Sequence, residues 1–159
     1  MEIEKQLADY YIEAEKSCRA ADHMIWITYP VVKDKSILLK ALENLHNSAT
    51  KIITLILKYE YLHKRIQLYR DTEKNLETFF KKCSNIHSLS SQDINNIRSI
   101  IRISRKCKES TFEFSKAEKA VIMEENGEIT ELSLSELKEY SKTIRALIDN
   151  TGKKLKEAI

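Results

Sequence analysis

The chain has 159 residues, 27 Lys or Arg against 24 Asp or Glu, a net charge of +3 and 42% hydrophobic content. This length suits one domain that buries about two-thirds of its unfolded surface, and the apolar content excludes a disordered chain. No apolar run approaches the roughly 18–20 residues that span a bilayer; the longest, Met24 to Val32, is broken by Pro30, so no membrane partner is expected.

Strong helix breakers are nearly absent. Pro30, Gly127 and Gly152 are the only three, where about nineteen would be usual at average composition. Apolar residues recur at spacings of three and four, so long amphipathic helices are expected. The opening MEIEKQL is polar and acidic, so no secretory signal is expected. Cys18, Cys83 and Cys107 form no CxxC pair, which points to reduced thiols in a cytoplasmic setting.

The first helix is expected from about Glu2 to Thr28, on the seam Leu7, Tyr11, Ala14, Cys18, Ala21, Ile25 and Thr28. It should stop near Tyr29, because proline disfavours helical geometry in the residue before it. Pro30–Lys35 reads as a loop, with Asp34 or Ser36 as the next cap. The second helix carries Leu38, Leu42, Leu45, Ala49, Ile52, Ile56 and Tyr59, extended by Leu62 and Ile66 towards Tyr69; its length would be roughly 50 Å. A third, shorter helix starts at Asp71 and buries Leu76, Phe79, Phe80 and Cys83, and the polar stretch Ser84–Ser91 reads as a turn. Ser90 and Asp93 then form a capping box for a fourth helix reaching about Lys108, with Ile94, Ile97, Ile101 and Ser104 inward. Ala120–Met123 and Glu128–Leu134 read as two strands around Glu124-Glu125-Asn126-Gly127, a hairpin signal. A second box at Ser133 and Glu136 opens the last helix, through Leu137, Tyr140, Ile144 and Leu155, with Gly152 weakening its final turns. The expected fold is therefore all-α: one domain over residues 1–159, an antiparallel bundle of about five helices with a β-hairpin (about 119–134) before the C-terminal helix.

Charge is unevenly spread. Residues 61–108 hold eleven Lys or Arg against four acids, so that block is +7 and the remainder −4. Arg98, Arg102 and Arg105 recur at i, i+4, i+7 along the fourth helix, with Lys106 and Lys108 nearby, and Lys64 and Arg65 close the second. Arginines on a rigid helix bind phosphates bidentately, which makes these residues candidates for contacting RNA or DNA, against the blander reading of a solvated helix face. The apolar end of the first helix offers Trp26, Tyr29 and Val31 as partner-interface candidates, since Trp and Tyr are favoured interface anchors.

Other chemistries fare worse. Glu43/His46 and Glu60/His63 have a metal-site spacing, but they stand roughly 25 Å apart on one helix and cannot share an ion; surface ion pairs are the expected role. Cys83 and His87 lie one i,i+4 step apart without an identifiable orienting group. Two glycines exclude Gly-rich phosphate loops and dinucleotide fingerprints. No catalytic residue, metal or cofactor is expected.

The stretches Ala20–Met24, Thr28–Lys35 and Leu38–Ile66, with the later hairpin and Leu134–Tyr140, resemble a group of archaeal helical proteins that carries no activity to transfer. A long antiparallel pair followed by shorter helices is distantly similar to HEPN-type bundles. That resemblance implies a dimer and a ribonuclease or toxin–antitoxin setting. The HEPN ribonuclease motif is Arg, four to six residues, then His. No arginine stands so before His23, His46, His63 or His87, and Arg19 to His23 leaves three, so the resemblance implies a member without that active site. The resulting expectation is a non-catalytic cytoplasmic module acting by association, with nucleic acid through the basic helix or as a homodimeric, protein-binding adaptor.

Overall fold

The computed structural model describes residues 2–109, 112–116, 119–123 and 126–157. Among these, five helices and one small sheet follow in chain order. Helix α1 comprises Glu2–His23, a π turn at Met24–Thr28 and a last turn, Tyr29–Val32. Then come α2 (Ser36–Leu62), α3 (Thr72–Thr78, a π turn at Phe79–Cys83, then Ser84–Ile86) and α4 (Ser91–Glu109). Strands β1 (Phe112–Lys116), β2 (Lys119–Met123) and β3 (Ile129–Ser133) lead into α5 (Leu134–Glu157). The bundle with strands before its last helix is as expected.

The end of α1 is not. The helix passes through Pro30 instead of stopping at Tyr29. Within the π turn the Tyr29 N–H reaches back five residues to the Met24 carbonyl. That wider turn relieves the clash a proline ring makes with the preceding turn, and Pro30 then opens a new α turn, where a missing N–H costs little. The extra residue also advances the seam, so Tyr29 is buried after Ile25.

Helix α2 is shorter than its apolar pattern suggests. It ends at Leu62, which makes it roughly 40 Å long. Lys64 turns left-handed (φ 59°), its N–H bonds to the Tyr61 carbonyl, and the Arg65 N–H bonds to the Glu60 carbonyl at 3.0 Å. This is a Schellman cap, ordinarily made with glycine. Ser88 (φ 55°) closes α3 by the same pair of bonds, to Asn85 and Ser84, and Lys33 (φ 56°) closes α1 with one bond to Tyr29. The stretch after Cys83 is consequently no solvated turn: Ser84 and His87 are buried.

The starts of α3, α4 and α5 match expectation, whereas α2 opens on Lys35, which makes no side-chain cap bond, and Asp34 accepts from the Ser36 N–H. Asp71 accepts from the Glu73 N–H, and Ser90 with Asp93 and Ser133 with Glu136 form reciprocal capping boxes. On α4, Ile97, Ile100 and Ile103 are buried, while Ile94 and Ile101 are half-buried, so the seam is rotated from the expected one. The sheet has three antiparallel strands in the order β1-β2-β3 rather than two, and Met123 pairs with Ile129 across the turn. Gly127 takes φ 86° there; Glu124 and Glu125 of the expected turn lie outside the described residues.

The core runs between α1, α2 and α5 and continues under α3, α4 and β2. Helices α1 and α2 meet on small residues, with the Ser48 hydroxyl donating to the Ala14 carbonyl at 2.6 Å. Helix α5 is clipped to α1 by Asp22, which accepts from Ser141 and pairs with Arg145, and to α4 by the Asn96–Thr143 bond at 2.9 Å. Gly152 lets α5 approach α1, for a Cβ there would stand 2.6 Å from the Tyr11 phenol oxygen.

Left-handed backbone is strained for Lys33 and Ser88 and free for glycine. Lys33→Gly and Ser88→Gly should each raise unfolding free energy by up to about 1 kcal/mol. Urea midpoints check this; a lowered midpoint in both contradicts the cap geometry.

Candidate functional site

The basic face of α4 survives as a feature of the fold, but its members hold different positions. Arg98 lies over the Phe80 ring with the guanidinium carbon 4.1 Å from its centroid. Arg105 pairs with Glu73 of α3. Arg102 and Lys108 are exposed, and the Lys106 amine reaches the Thr130 hydroxyl of β3 at 3.4 Å. Between α3 and α4 lies a cleft of about 670 Å³, and Arg98, Arg102, Arg105 and Lys106 all line it. Among the described residues, Glu73 is the one carboxylate on its wall, beside Asn95 and Ser99. Lys108 instead lines two neighbouring clefts between α4 and α2.

Lys64 and Arg65, which follow the end of α2, are not among the residues that line that cleft. Arg65 is committed to Glu60 by both its guanidinium and its backbone N–H.

Glu60 is the residue that sequence reasoning misplaced. Instead of pairing with His63 at the surface, its carboxylate is fully buried and meets Arg65 on one side and the His87 Nε2 at 3.2 Å on the other. His63 faces solvent and bonds back to the Tyr59 carbonyl. Burial alone would push the Glu60 carboxyl up, but hydrogen bonds and charge from Arg65 and His87 outweigh it and hold the group below its ordinary value. Burial, then Lys154, pushes the His87 imidazole down against the pull of Glu60. His87 is therefore neutral at pH 7, its Nε2–H donating to Glu60, and its buried Nδ1 has no hydrogen-bond partner among the described residues. Glu60 is the orienting group that the Cys83–His87 pair lacked in sequence. It does not make a nucleophile of Cys83, whose thiol is buried and pushed up to about 11 by desolvation and by Glu60; a thiol in that state is inert at neutral pH. This centre joins the end of α2 to the end of α3, and Lys154 of α5 caps it by donating to the Ile86 carbonyl.

At the end of α1, Trp26 and Val31 are exposed, along with Ile27 and Val32, and Lys138 of α5 lies over the indole at 4.6 Å. Tyr29 is a correction: it is 3% exposed, with its hydroxyl accepting from Lys35 at 2.8 Å. The π turn rotates it inward, so it belongs to the core and not to a partner surface. Among the described residues, no group of three or more His, Cys, Asp or Glu is placed to hold a metal, and no helix is long and apolar enough to cross a membrane.

In comparisons with known proteins, no family model matches the chain, and no curated protein or solved structure matches it.

The buried polar centre sets an acid-side dependence of stability. His87 is held below its ordinary 6.5 and Glu60 below its ordinary 4.5. The unfolded chain therefore binds each proton first, so stability is present above the unfolded value and is lost as pH falls through the folded one. His46, also held down by burial and nearby cations, contributes in the same direction. Urea midpoints should fall from pH 6.5 downward, and His87→Gln, which keeps a donor for Glu60 but cannot titrate there, should flatten that fall. An unchanged pH slope in the variant contradicts the assignment.

Proposed function

We propose that the protein is a non-catalytic, nucleic-acid-binding helical module whose α3–α4 cleft holds the phosphates of a single-stranded RNA or DNA. One observation carries the reading: among the described residues, four cations, Arg98, Arg102, Arg105 and Lys106, line one concave surface that also holds the Glu73 carboxylate. Concave walls concentrate the field of such a cluster, and guanidiniums suit phosphate oxygens. The stacking of Arg98 on Phe80 and the pairing of Arg105 with Glu73 restrain two of these side chains before any ligand arrives, which lowers the ordering cost of binding. Three free cysteines fit a reducing, cytoplasmic compartment. A HEPN-type or archaeal relationship belongs to the same proposal and rests on the chain layout given above.

A self-association reading has its own observation. Trp26, Ile27, Val31 and Val32 stand exposed together at the end of α1, with Val31 at 81%, and clustered exposed apolar side chains mark interaction surfaces. Light scattering should find a dimer that Val31→Asp converts to a monomer; a wild-type protein monomeric at high concentration contradicts this second reading.

Fluorescence anisotropy of a labelled single strand across a salt series tests the first. With three or four phosphates neutralised, the slope of log affinity on log salt should lie between about −2 and −3. Arg102→Glu should flatten it by about 0.7 or more, and reversing Arg98, Arg102 and Arg105 together should abolish binding with the helical circular dichroism intact. Salt-independent binding, or binding unchanged in the triple variant, overturns the proposal.

A further inference from the structure

A second cleft, of about 420 Å³, lies between α2, α3 and α4, within the roughly 300–1,000 Å³ of small-molecule sites. Its chemistry differs from that of the cationic cleft beside it. Ile53 and Leu57 of α2, Leu76 of α3 and Ile101 of α4 give it an apolar floor. His46 of α2 stands near Arg105 and Lys108 of α4 at one end, while Thr54 and Lys58 of α2 and Asn75 of α3 add polar groups elsewhere on the wall. The His46 imidazole is half-buried, and burial, then Lys108 and Arg105, hold it below its ordinary value against the opposing pull of Glu43. Lys58 stands three helical turns further along α2, over the Tyr10 ring at 5.2 Å.

We propose that this cleft binds a small anionic amphiphile, a molecule with one carboxylate head and an unbranched hydrocarbon body. The head meets Arg105 and Lys108 beside His46, and the body lies along Ile53, Leu57 and Leu76. Charge complementarity selects the occupant. Arg105 is already paired with Glu73, so a purely apolar ligand would leave the Lys108 ammonium covered without a counter-charge, which is costly. A nucleotide would find no Phe, Tyr or Trp ring among the described residues of the cleft wall for its base to stack on. The inference stands independently of nucleic-acid binding, although Arg105 borders both clefts, so an occupied amphiphile site would weaken a strand's hold at that residue.

The test is an NMR titration of the full chain, without nucleic acid, using decanoate below its micelle concentration and 1-decanol as the uncharged control. Decanoate should saturate, shifting the Ile53 and Ile101 methyl signals, and should raise the apparent pKa of His46 by placing a negative charge beside it. Decanol should bind about tenfold more weakly and leave the His46 titration unmoved. Lys108→Gln, an exposed change that leaves the core intact, should weaken decanoate about tenfold while decanol is unaffected. Equal affinity for the two probes overturns the proposal, as does an unmoved His46. So does a decanoate footprint at Trp26 and Val31 in place of Ile53 and Ile101.

Discussion

Everything in this fold hangs on the close approach of α1 and α2. Ala14, Cys18 and Ala21 on one helix and Ala41, Ser48 and Ala49 on the other are all completely buried. Side chains this small let two helix backbones come near, and the larger Leu38, Leu42, Leu45 and Ile52 fill the flanks. Ser48 spends its hydroxyl on the carbonyl of Ala14 across the interface, where a helical serine commonly bonds back within its own helix. Enlarging any of these positions would push the pair apart, an overpacking that costs about 1–3 kcal/mol in a dense core. With the pair set, α5 has one place to lie, and Asp22, Ser141 and Arg145 fix its register along α1.

The Glu60–Arg65–His87 centre answers a second constraint. With glycine almost absent, the chain ends α1, α2 and α3 on Lys33, Lys64 and Ser88 in left-handed backbone. Such caps are strained, and something nearby must hold them. At α2 the same residues supply both a cap bond and the buried polar contact, for Glu60 and Arg65 take part in each, and His87 beside the α3 cap completes the centre. A buried carboxylate is poor evidence of stability in itself. Here it joins two helix ends, which leaves α3 against α4 in the position that forms the cationic cleft.

The elements that could be read from sequence are those whose signals are local. Capping boxes at Ser90 and Ser133, the cap at Asp71 and the seams of α1 and α2 depend on neighbours a few residues away, and they were legible. What depends on distant contacts was not. Pro30 reads as a stop because a π turn has no residue signature. Lys64 and Ser88 read as ordinary polar residues because their caps lack the usual glycine. Phe112-Glu113-Phe114 alternates as a strand does, yet no Gly, Pro or Asn separates β1 from β2 to announce a turn. The basic stripe on α4 was visible residue by residue. Its convergence with Glu73 and Phe80 of α3 was not, nor was the separation of Arg65 from it, because both follow from where α3 packs. Tyr29 was misread for the same reason that Pro30 was.

In the proposed function, the cationic α3–α4 cleft is where this protein meets a phosphate backbone. Chemical-shift mapping of the isotopically labelled chain with a short single-stranded RNA tests it most directly, because it reports location as well as affinity. The account predicts shifts concentrated on the backbone and guanidinium signals of Arg98, Arg102 and Arg105 and on Glu73, with the Trp26 indole unmoved. Shifts centred on Trp26 and Val31, or none at low salt, would contradict it.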